Sequence, residues 1–325
     1  MYPIVYLSAA ACPDRGDERP VMALGTFDGV HRGHQALLGR LVAHARALGR
    51  PALVFTFHPS PSAVLGRGDP RAILPLEERI RLLGEFGVDR VVVERFSQAY
   101  AVRSARWFAR EVLGRLVRPA ALVVGRDFRF GHQGAGGVES LAEWMPDLEV
   151  EVVEACLEQD LPVSSSRIRK ALAAGRVAEV ATLLGRPWAV TGTVSPGQGL
   201  GRRLGFPTAN LVHDADLLPA DGVYAVRARV DGGAPEPAVA SLGTRPTFDG
   251  EGFVLEVHLL RDPEGPSEDA LYGTPVEIGF VDRIRDQERF RDASALVRAI
   301  RKDTEQARRI LAPEGPCAAG TGRRT

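Results

Sequence analysis

The pattern of apolar residues changes at Gly185-Arg186-Pro187, and this change constrains the fold more than any other feature of the sequence. Before it, short apolar runs such as Val21–Gly25 and Ala52–Phe57 alternate with stretches of helical periodicity such as His34–Leu48. Alternating strands and helices are typical of a parallel sheet covered by helices. Residues 1–186 are therefore predicted to form an α/β domain.

The second half of the chain has a different rhythm. Short β-like runs, such as Trp188–Val194 and Phe253–Leu259, are separated by turns rich in Gly and Pro, which is typical of a small antiparallel barrel. One amphipathic helix is predicted over Ala293–Leu311. Residues 187–311 are therefore predicted to form a second domain. The tail 312–325, rich in Gly, Ala and Arg, is expected to be disordered.

Composition excludes several classes of protein. The 325 residues carry 41 basic and 41 acidic side chains, so no basic field recruits nucleic acid or an anionic membrane. No apolar run reaches the roughly 18 residues that a membrane helix needs, and the first residues do not resemble a secretion signal. Cys12, Cys156 and Cys317 are isolated, which fits a reducing compartment. We expect a cytoplasmic protein without nucleic-acid or membrane partners; self-association is compatible with the sequence.

The segment Gly25–His34, GTFDGVHRGH, joins the first of these strands to its helix. Ligands of parallel sheets bind at the carboxyl ends of strands, and free N–H groups at a helix N-terminus bind phosphate. His31 and His34 can donate hydrogen bonds to a phosphoryl group and to departing pyrophosphate. A glycine-rich turn with two solvated histidines is the alternative, because so short a motif also occurs by chance.

Two later segments support a nucleotide site. Ser164–Arg169, SSSRIR, places hydroxyl groups at the start of a helix and two arginines in its first turn. Such arginines oppose the helix dipole unless an anion compensates, and a triphosphate is a natural candidate. Gly125–Gly131, GRDFRFG, follows a strand; Phe128 or Phe130 could be a core residue, whereas Asp127 has no apolar role.

GTFDGVHRGHQ, GRDFRFG and SSSRIR, in this order, resemble the adenylyltransferase module of the bacterial bifunctional riboflavin kinase/FAD synthetase family. The resemblance implies a Rossmann-like nucleotidyltransferase domain in which His31 and His34 bind and activate ATP. The implied ATP- and FMN-binding residues are Gly25, Phe27, Asp28, Gly33, Asp127, Ser165, Ser166, Arg167 and Arg169. One departure is Thr56–Pro61, TFHPSP, where the family often has TFDPHP. If the missing carboxylate helps to position metal or flavin phosphate, adenylylation is slowed or differently tuned.

A second set of polar residues lies beyond the change of rhythm. A loop dense in Gly and Arg, residues 197–205, leads into PTAN. Thr208 and Asn210 are two residues apart, so in an extended segment they point the same way, and their oxygens suit Mg²⁺. Glu256 shares the polar face of a predicted strand with Val254 and His258. It is either solvated or, beside ATP, the acceptor of a proton from an attacking hydroxyl.

PTAN, GTRPTF, LEVHLL and LYG resemble the riboflavin kinase module of the same family. The resemblance implies a six-stranded antiparallel barrel with Glu256 as the catalytic base and Thr208 and Asn210 as Mg²⁺ ligands. The implied ATP- and flavin-binding residues are Gly199, Arg202, Gly205, Pro207, Thr208, Asn210 and Arg285. The segment Arg261–Ala270 is longer and more acidic than is usual in the family and has no aromatic residue, which puts flavin contacts there in doubt.

The sequence thus predicts a bifunctional enzyme that phosphorylates riboflavin to FMN and adenylylates FMN to FAD, with ATP as co-substrate and Mg²⁺ as cofactor. Three alternatives stay open at this point. A nucleotidyltransferase acting on a pantetheine or nicotinate nucleotide would leave PTAN and Glu256 without a role. A flavin-binding regulator with degenerate catalysis is favoured only by TFHPSP. A nucleic-acid-binding protein is disfavoured by the neutral charge.

Overall fold

The computed structural model of the chain describes residues 3–11, 18–196, 204–247, 250–261 and 271–312. The described residues divide into two units. The first is drawn from Met1–Lys170, Leu183–Arg186 and Ala215–Leu218, and the second from Ala171–Thr182, Pro187–Asp214 and Pro219–Thr325. The boundary predicted at residue 186 stays a prediction, and residues 313–325 of the predicted tail 312–325 lie outside the described residues.

The first unit is built on a six-stranded sheet with the order β1-β4-β3-β2-β5-β6, in which every adjacent pair is parallel. The strands are β1 Ile4–Tyr6, β2 Val21–Leu24, β3 Ala52–Phe57, β4 Arg90–Glu94, β5 Ala121–Gly125 and β6 Glu149–Val153. The central strands are nearly continuous apolar runs, as expected for a sheet covered on both faces. The predicted parallel α/β fold is confirmed.

Helices and one hairpin follow these strands in chain order. The helices are α1 Arg32–Ala47, α2 Pro61–Leu65, α3 Leu76–Glu85, α4 Gln98–Ala101, α5 Ala105–Trp107, α6 Val138–Trp144, α7 Ser165–Ala173 and α8 Val177–Leu184. The α5 helix continues as a wider π-helix over Phe108–Val117, which packs on Met22 and Leu53 of the sheet. A two-stranded hairpin, β7 Leu157–Glu158 with β8 Leu161–Pro162, precedes α7.

The second unit contains a closed six-stranded barrel with the order β10-β13-β12-β11-β14-β9, closed by pairing of β9 with β10. Its strands are β9 Trp188–Ser195, β10 Ala209–His213, β11 Gly222–Val230, β12 Pro235–Thr247, β13 Gly250–Leu259 and β14 Pro275–Arg285. Trp188, Tyr224 and Phe280 pack together, with Trp188 and Phe280 tilted at a ring distance of 5.3 Å. The predicted antiparallel barrel is confirmed.

The last helix, α9 Ala293–Leu311, has the bounds that the sequence predicts. Asp292 caps its N-terminus by accepting a hydrogen bond from the Ala295 N–H at 2.7 Å. Its Ala307 and Leu311 pack with Ala225 and Leu260 of the barrel unit. Within the ranges that the structure describes, no helix combines the length and the apolar character needed to cross a membrane.

Candidate active sites

The turn between β2 and α1 has an unusual backbone. Phe27, Gly29 and Val30 all lie in the left-handed region, with φ of 50°, 83° and 41°. Glycine adopts this region freely, but a β-branched valine does so only under strain. Strained backbone persists only where surrounding contacts hold it, and it concentrates at functional sites. The contacts that hold this turn are therefore part of the candidate site.

Two arginines bind the carbonyl groups of this turn. Arg79 of α3 donates to the Thr26 carbonyl at 2.7 Å and to the Phe57 carbonyl at 3.3 Å. Arg186 donates to the Gly29 carbonyl at 2.9 Å and to the Val30 carbonyl at 3.3 Å. Neither arginine was predicted as a site residue. Both come from elements distant in sequence, so no local motif could have indicated these contacts.

His31 and His34 form a stacked pair at the start of α1. Their ring centroids are 3.6 Å apart with an interplanar angle of 16°. His31 caps the helix, because its Nδ1 accepts a hydrogen bond from the His34 N–H at 3.3 Å. That bond leaves the proton of the neutral His31 ring on Nε2. The Nδ1 of His34 is buried and has no hydrogen-bond partner within the described ranges.

Both imidazoles are held in the neutral form. Burial, aided by the Arg186 charge, lowers the pKa of His31 to about 4. Burial also lowers the pKa of His34 well below its usual value; the charge of Arg79 acts in the same direction, as would a proton on His31. A neutral imidazole carries one N–H, so each ring can still donate one hydrogen bond to an anionic ligand.

Three of the predicted binding residues shape the site around these rings. Phe27 is buried, and its ring lies 5.1 Å from that of His34, so its side chain supports the histidine. A Cβ at Gly33 would lie 3.2 Å from the His31 ring and 3.4 Å from the Val163 carbonyl oxygen. A Cβ at Gly25 would lie 3.3 Å from the Phe27 ring. The two glycines thus leave room for the aromatic side chains of the turn.

Asp28 and Arg169 bind each other. The Asp28 carboxylate is buried, forms an ion pair with Arg169, and accepts a hydrogen bond from the Ile73 N–H at 3.0 Å. Burial raises the pKa of Asp28, whereas Arg169 acts to lower it. Ser165 donates from its hydroxyl to the Asp28 carbonyl at 2.9 Å. The sequence predicts that an anion compensates the arginines in the first turn of α7, and for Arg169 the Asp28 carboxylate provides that negative charge.

The remaining predicted residues of this unit are more accessible. Ser164 caps α7 by accepting from the Arg167 N–H at 3.3 Å, and Ser166 is exposed. Arg167 donates to the Glu158 carbonyl of the hairpin at 2.9 Å. Asp127 is exposed just after β5. Phe130 is the core residue of its segment, and Phe128 is half-buried against it with ring centroids 5.4 Å apart.

A cavity of about 210 Å³ in the same unit was not predicted from the sequence. Its lining is rich in aromatic side chains and carries three arginines: Phe57, Phe96, Tyr100, Phe108, Phe130, Arg67, Arg103 and Arg129. Phe57 lies edge-on to both Phe96 and Tyr100, at ring distances of 5.4 and 5.8 Å. Burial raises the pKa of Tyr100, and in the described part of the chain its hydroxyl has no hydrogen-bond partner. The sequence feature that could have indicated this cavity is the presence of aromatic residues at and just after the ends of β3 and β4.

In the barrel unit, Glu256 lies between two strands that bring polar groups alongside it. It is opposite Asn210 of β10 and opposite Ser241 of β12 in the strand register. Directly opposed residues have Cβ atoms about 5 Å apart. Leu255 and Val257 are buried while Glu256 is half-buried, so its carboxylate is on the outer face, as predicted. Glu256 also lines a cavity of about 350 Å³ with Asp221, Ser241, Gly243, Val254, Gln287, Glu288 and Arg289.

His258 connects this strand to the PTAN segment. Its Nδ1 lies 2.7 Å from the Pro207 carbonyl oxygen, and its ring meets Phe206 edge-on at 5.8 Å. Burial lowers the pKa of His258, which favours the neutral ring that can donate to this carbonyl. Thr208 and Asn210 are half-buried on either side of the buried Ala209, so they share a face as predicted. His258 was not singled out as a site residue.

Arg285 has a structural partner. Its guanidinium binds the buried carboxylate of Asp303 on α9 through Nε at 3.0 Å and through a terminal nitrogen at 2.8 Å. It also lies 5.5 Å from the centre of the Phe290 ring. Its predicted ligand contact stays a prediction. Gly205 is exposed with φ of 80°, while Gly199 and Arg202 lie outside the described residues.

Two families of known proteins match the two parts of the chain. The model described as FAD synthetase matches residues 14–167, and the model described as riboflavin kinase matches residues 184–311. Bifunctional riboflavin kinase/FMN adenylyltransferase of Escherichia coli K12 is 37% identical over 294 residues, covering 90% of this chain and 92% of the relative. The Bacillus subtilis protein of that name is 36% identical over 309 residues, covering 90% and 93%.

One solved structure matches nearly the whole chain. It is titled a macrolide-efflux protein from Streptococcus pneumoniae, and it covers 95% of this chain and 99% of its own at 34% identity, with a TM-score of 0.84. A parallel-sheet nucleotidyltransferase unit and a barrel kinase unit define the class, an ATP-dependent transferase with two activities. The similarity to the bacterial relatives is high enough to assign the family. The chain belongs to the bifunctional riboflavin kinase/FMN adenylyltransferase family.

Proposed function

We propose that the barrel unit phosphorylates riboflavin to FMN at Glu256 and that the parallel-sheet unit adenylylates FMN to FAD at the His31–His34 pair. Family membership supports both activities and ATP as the co-substrate. The observation that carries the residue roles is the register that aligns Glu256 with Asn210 and Ser241 beside a cavity. A carboxylate on the outer face of a strand can act as a base only where a ligand can reach it, and the cavity beside Glu256 gives a ligand that access.

In the kinase reaction, a hydroxyl oxygen of riboflavin attacks the γ-phosphorus of ATP, and ADP leaves. The Glu256 carboxylate accepts the hydroxyl proton. The oxygens of Thr208 and Asn210 are hard donors of the kind that Mg²⁺ prefers, and Asn210 is opposite Glu256, so these residues fit a magnesium ion. A bound Mg²⁺ would neutralise charge on the ATP phosphates.

The described residues contain no group of three or more His, Cys, Asp or Glu side chains arranged for a metal. A magnesium ion that keeps most of its oxygens from ATP and water does not need such a group.

In the adenylylation reaction, a phosphate oxygen of FMN attacks the α-phosphorus of ATP, and pyrophosphate leaves. The attacking oxygen is already ionised, so this step needs no general base. The neutral rings of His31 and His34 donate N–H groups to phosphate oxygens, and the N-terminus of α1 adds its positive dipole end. Arg167 would add a charge, whereas Arg169 is held by Asp28.

We place the flavin ring of FMN in the aromatic cavity of the parallel-sheet unit. The cavity combines apolar ring faces with nearby arginines, which suits a flat heterocycle that ends in a phosphate. Phe57 ends β3 and Phe108 belongs to the helix packed on the sheet, so both walls are formed by packed secondary structure. This cavity lies in the unit that the FAD synthetase model matches.

The test is to incubate the full chain with riboflavin, ATP and Mg²⁺ and to separate FMN and FAD by chromatography. Wild type is expected to form both products. Glu256→Gln should abolish FMN formation yet convert added FMN to FAD, because loss of a general base costs about 10²–10⁴-fold. His31→Ala with His34→Ala should accumulate FMN without FAD. Parallel loss of both products in a folded variant would contradict separate sites.

A cytoplasmic location is also proposed, because the isolated cysteines suit a reducing compartment. Cell fractionation with activity measured in each fraction tests it. Self-association stays a prediction, to be tested by sedimentation of the full chain.

A further inference from the structure

Arg79 of α3 is a buried cation. The residue is 5% exposed, and its Nε is buried without a hydrogen-bond partner among the residues that the structure describes. The hydrogen bonds of its terminal nitrogens go to the carbonyls of Thr26 and Phe57, and no ion pair joins it to a carboxylate in the described part of the chain. Burying an unpaired charge destabilises a protein unless another function requires it.

The charge lies where anionic substrates have to bind. Thr26 follows β2 and Phe57 ends β3, so Arg79 bridges the carboxyl ends of two neighbouring central strands. Ligands of parallel sheets bind at this edge. Among the described residues, the acidic group that acts on Arg79 is Asp28, which is already paired with Arg169. Arg79 and Arg169 carry two positive charges and Asp28 carries one negative charge, so these three side chains have a net charge of one positive unit.

We propose that Arg79 is a further positioning residue of the adenylyl-transfer site, whose uncompensated buried charge makes the ends of β2 and β3 positive and aligns the phosphates of ATP and FMN beside the His31–His34 pair. This inference rests on the proposed adenylyltransferase activity. A charge that water does not screen acts over several ångströms. It can therefore favour an anion without touching it, and it is fixed before the reaction begins.

A second consequence concerns protonation of the histidine pair. The charged and titratable groups around the pair are the two rings themselves, Arg79 from α3, Arg186 after α8, and Asp28 with its partner Arg169. The charge of Arg79 opposes protonation of His34. Without that charge His34 should protonate at higher pH. The pH below which the rate of FAD formation falls, the acid limb of its pH profile, should therefore rise.

The experiment compares Arg79→Met, which removes the charge, with Arg79→Lys, which keeps it and loses the forked contacts. Arg81→Met is the matched control, because Arg81 is on the same helix but binds Glu78 and Glu85 at the surface. Arg79→Met is expected to lower kcat/KM for FAD formation from FMN and ATP about 30-fold or more. Arg79→Lys should stay within about tenfold of wild type and keep its acid limb, and Arg81→Met should behave as wild type.

A binding measurement completes the test. Inorganic pyrophosphate should raise the unfolding temperature of wild type and Arg79→Lys but not that of Arg79→Met. If Arg79→Met forms FAD within threefold of wild type, or if both variants lose activity equally, the charge has no such role. If Arg79→Met does not fold, the test rests on Arg79→Lys. The proposal is then overturned if the rate of FAD formation by Arg79→Lys falls in acid at a different pH from wild type, or if pyrophosphate does not raise its unfolding temperature. Wild type that forms no FAD would instead contradict the proposed function.

Discussion

Acid should destabilise the parallel-sheet unit through His31, because the cap of α1 requires a neutral ring. The unfolded pKa is near 6.5 and the folded pKa is lowered to about 4. Between these values the unfolded state binds more protons, so stability is fully present above pH 6.5 and is lost as the pH falls toward 4. The whole loss is about 3 kcal/mol, and about 2 kcal/mol is lost by pH 5. His31 is 5% exposed, so solvent screening does not reduce this value.

The assay is urea unfolding at pH 7 and pH 5 of wild type and of His31→Asn. Asparagine caps helices well and does not titrate, so the variant keeps a cap and loses the proton linkage. Trp107 and Trp144 belong to the first unit and Trp188 to the second, so a Trp188→Phe background makes fluorescence report the first unit. The loss of stability from pH 7 to pH 5 should be about 2 kcal/mol smaller in His31→Asn.

His58→Asn is the matched control, because it replaces an exposed histidine of the same unit and leaves the cap of α1 in place. If His31→Asn loses as much stability as wild type between the two pH values, another group titrates and the capping argument fails.

Three further predictions concern other parts of the structure. Thr208→Ala should weaken riboflavin phosphorylation chiefly through Mg²⁺–ATP, so added Mg²⁺ should restore part of the rate; a defect in riboflavin affinity alone would contradict the metal-ligand role. Phe96→Ser should raise KM for FMN about tenfold in FAD formation and leave riboflavin phosphorylation unchanged; steady-state kinetics with FMN and riboflavin check this. Asp303→Ala should destabilise the barrel unit by about 3 kcal/mol, read from Trp188 fluorescence, because it leaves Arg285 unpaired against α9; an unchanged midpoint would refute the pairing.

Much of the fold could be predicted from hydrophobic periodicity. The helix α9 and the strand β3 have strong apolar patterns, and their predicted bounds match the structure. The helix α1 begins at Arg32 instead of the predicted His34, because His31 provides the cap. The strand β1 was not predicted, since three residues carry too little periodicity, and it owes its place to pairing with β4.

The candidate sites were predictable where a motif is local. His31, His34, Thr208 and Asn210 occur in short motifs, and the structure brings each pair together. The carbonyl contacts of Arg79 and the link of His258 to Pro207 depend on residues far apart in sequence, so periodicity could not indicate them. The aromatic cavity depends in the same way on several strand ends and loops that meet only after folding.

The register of the barrel also limits how the kinase site can vary. Glu256 is aligned with Asn210 and Ser241 because β13 pairs with β10 and with β12 in a fixed register. A one-residue insertion or deletion within β13 before Glu256 would turn its carboxylate into the barrel interior, where Trp188 and Phe280 pack. A change of chain length inside β13 before Glu256 should therefore abolish riboflavin phosphorylation.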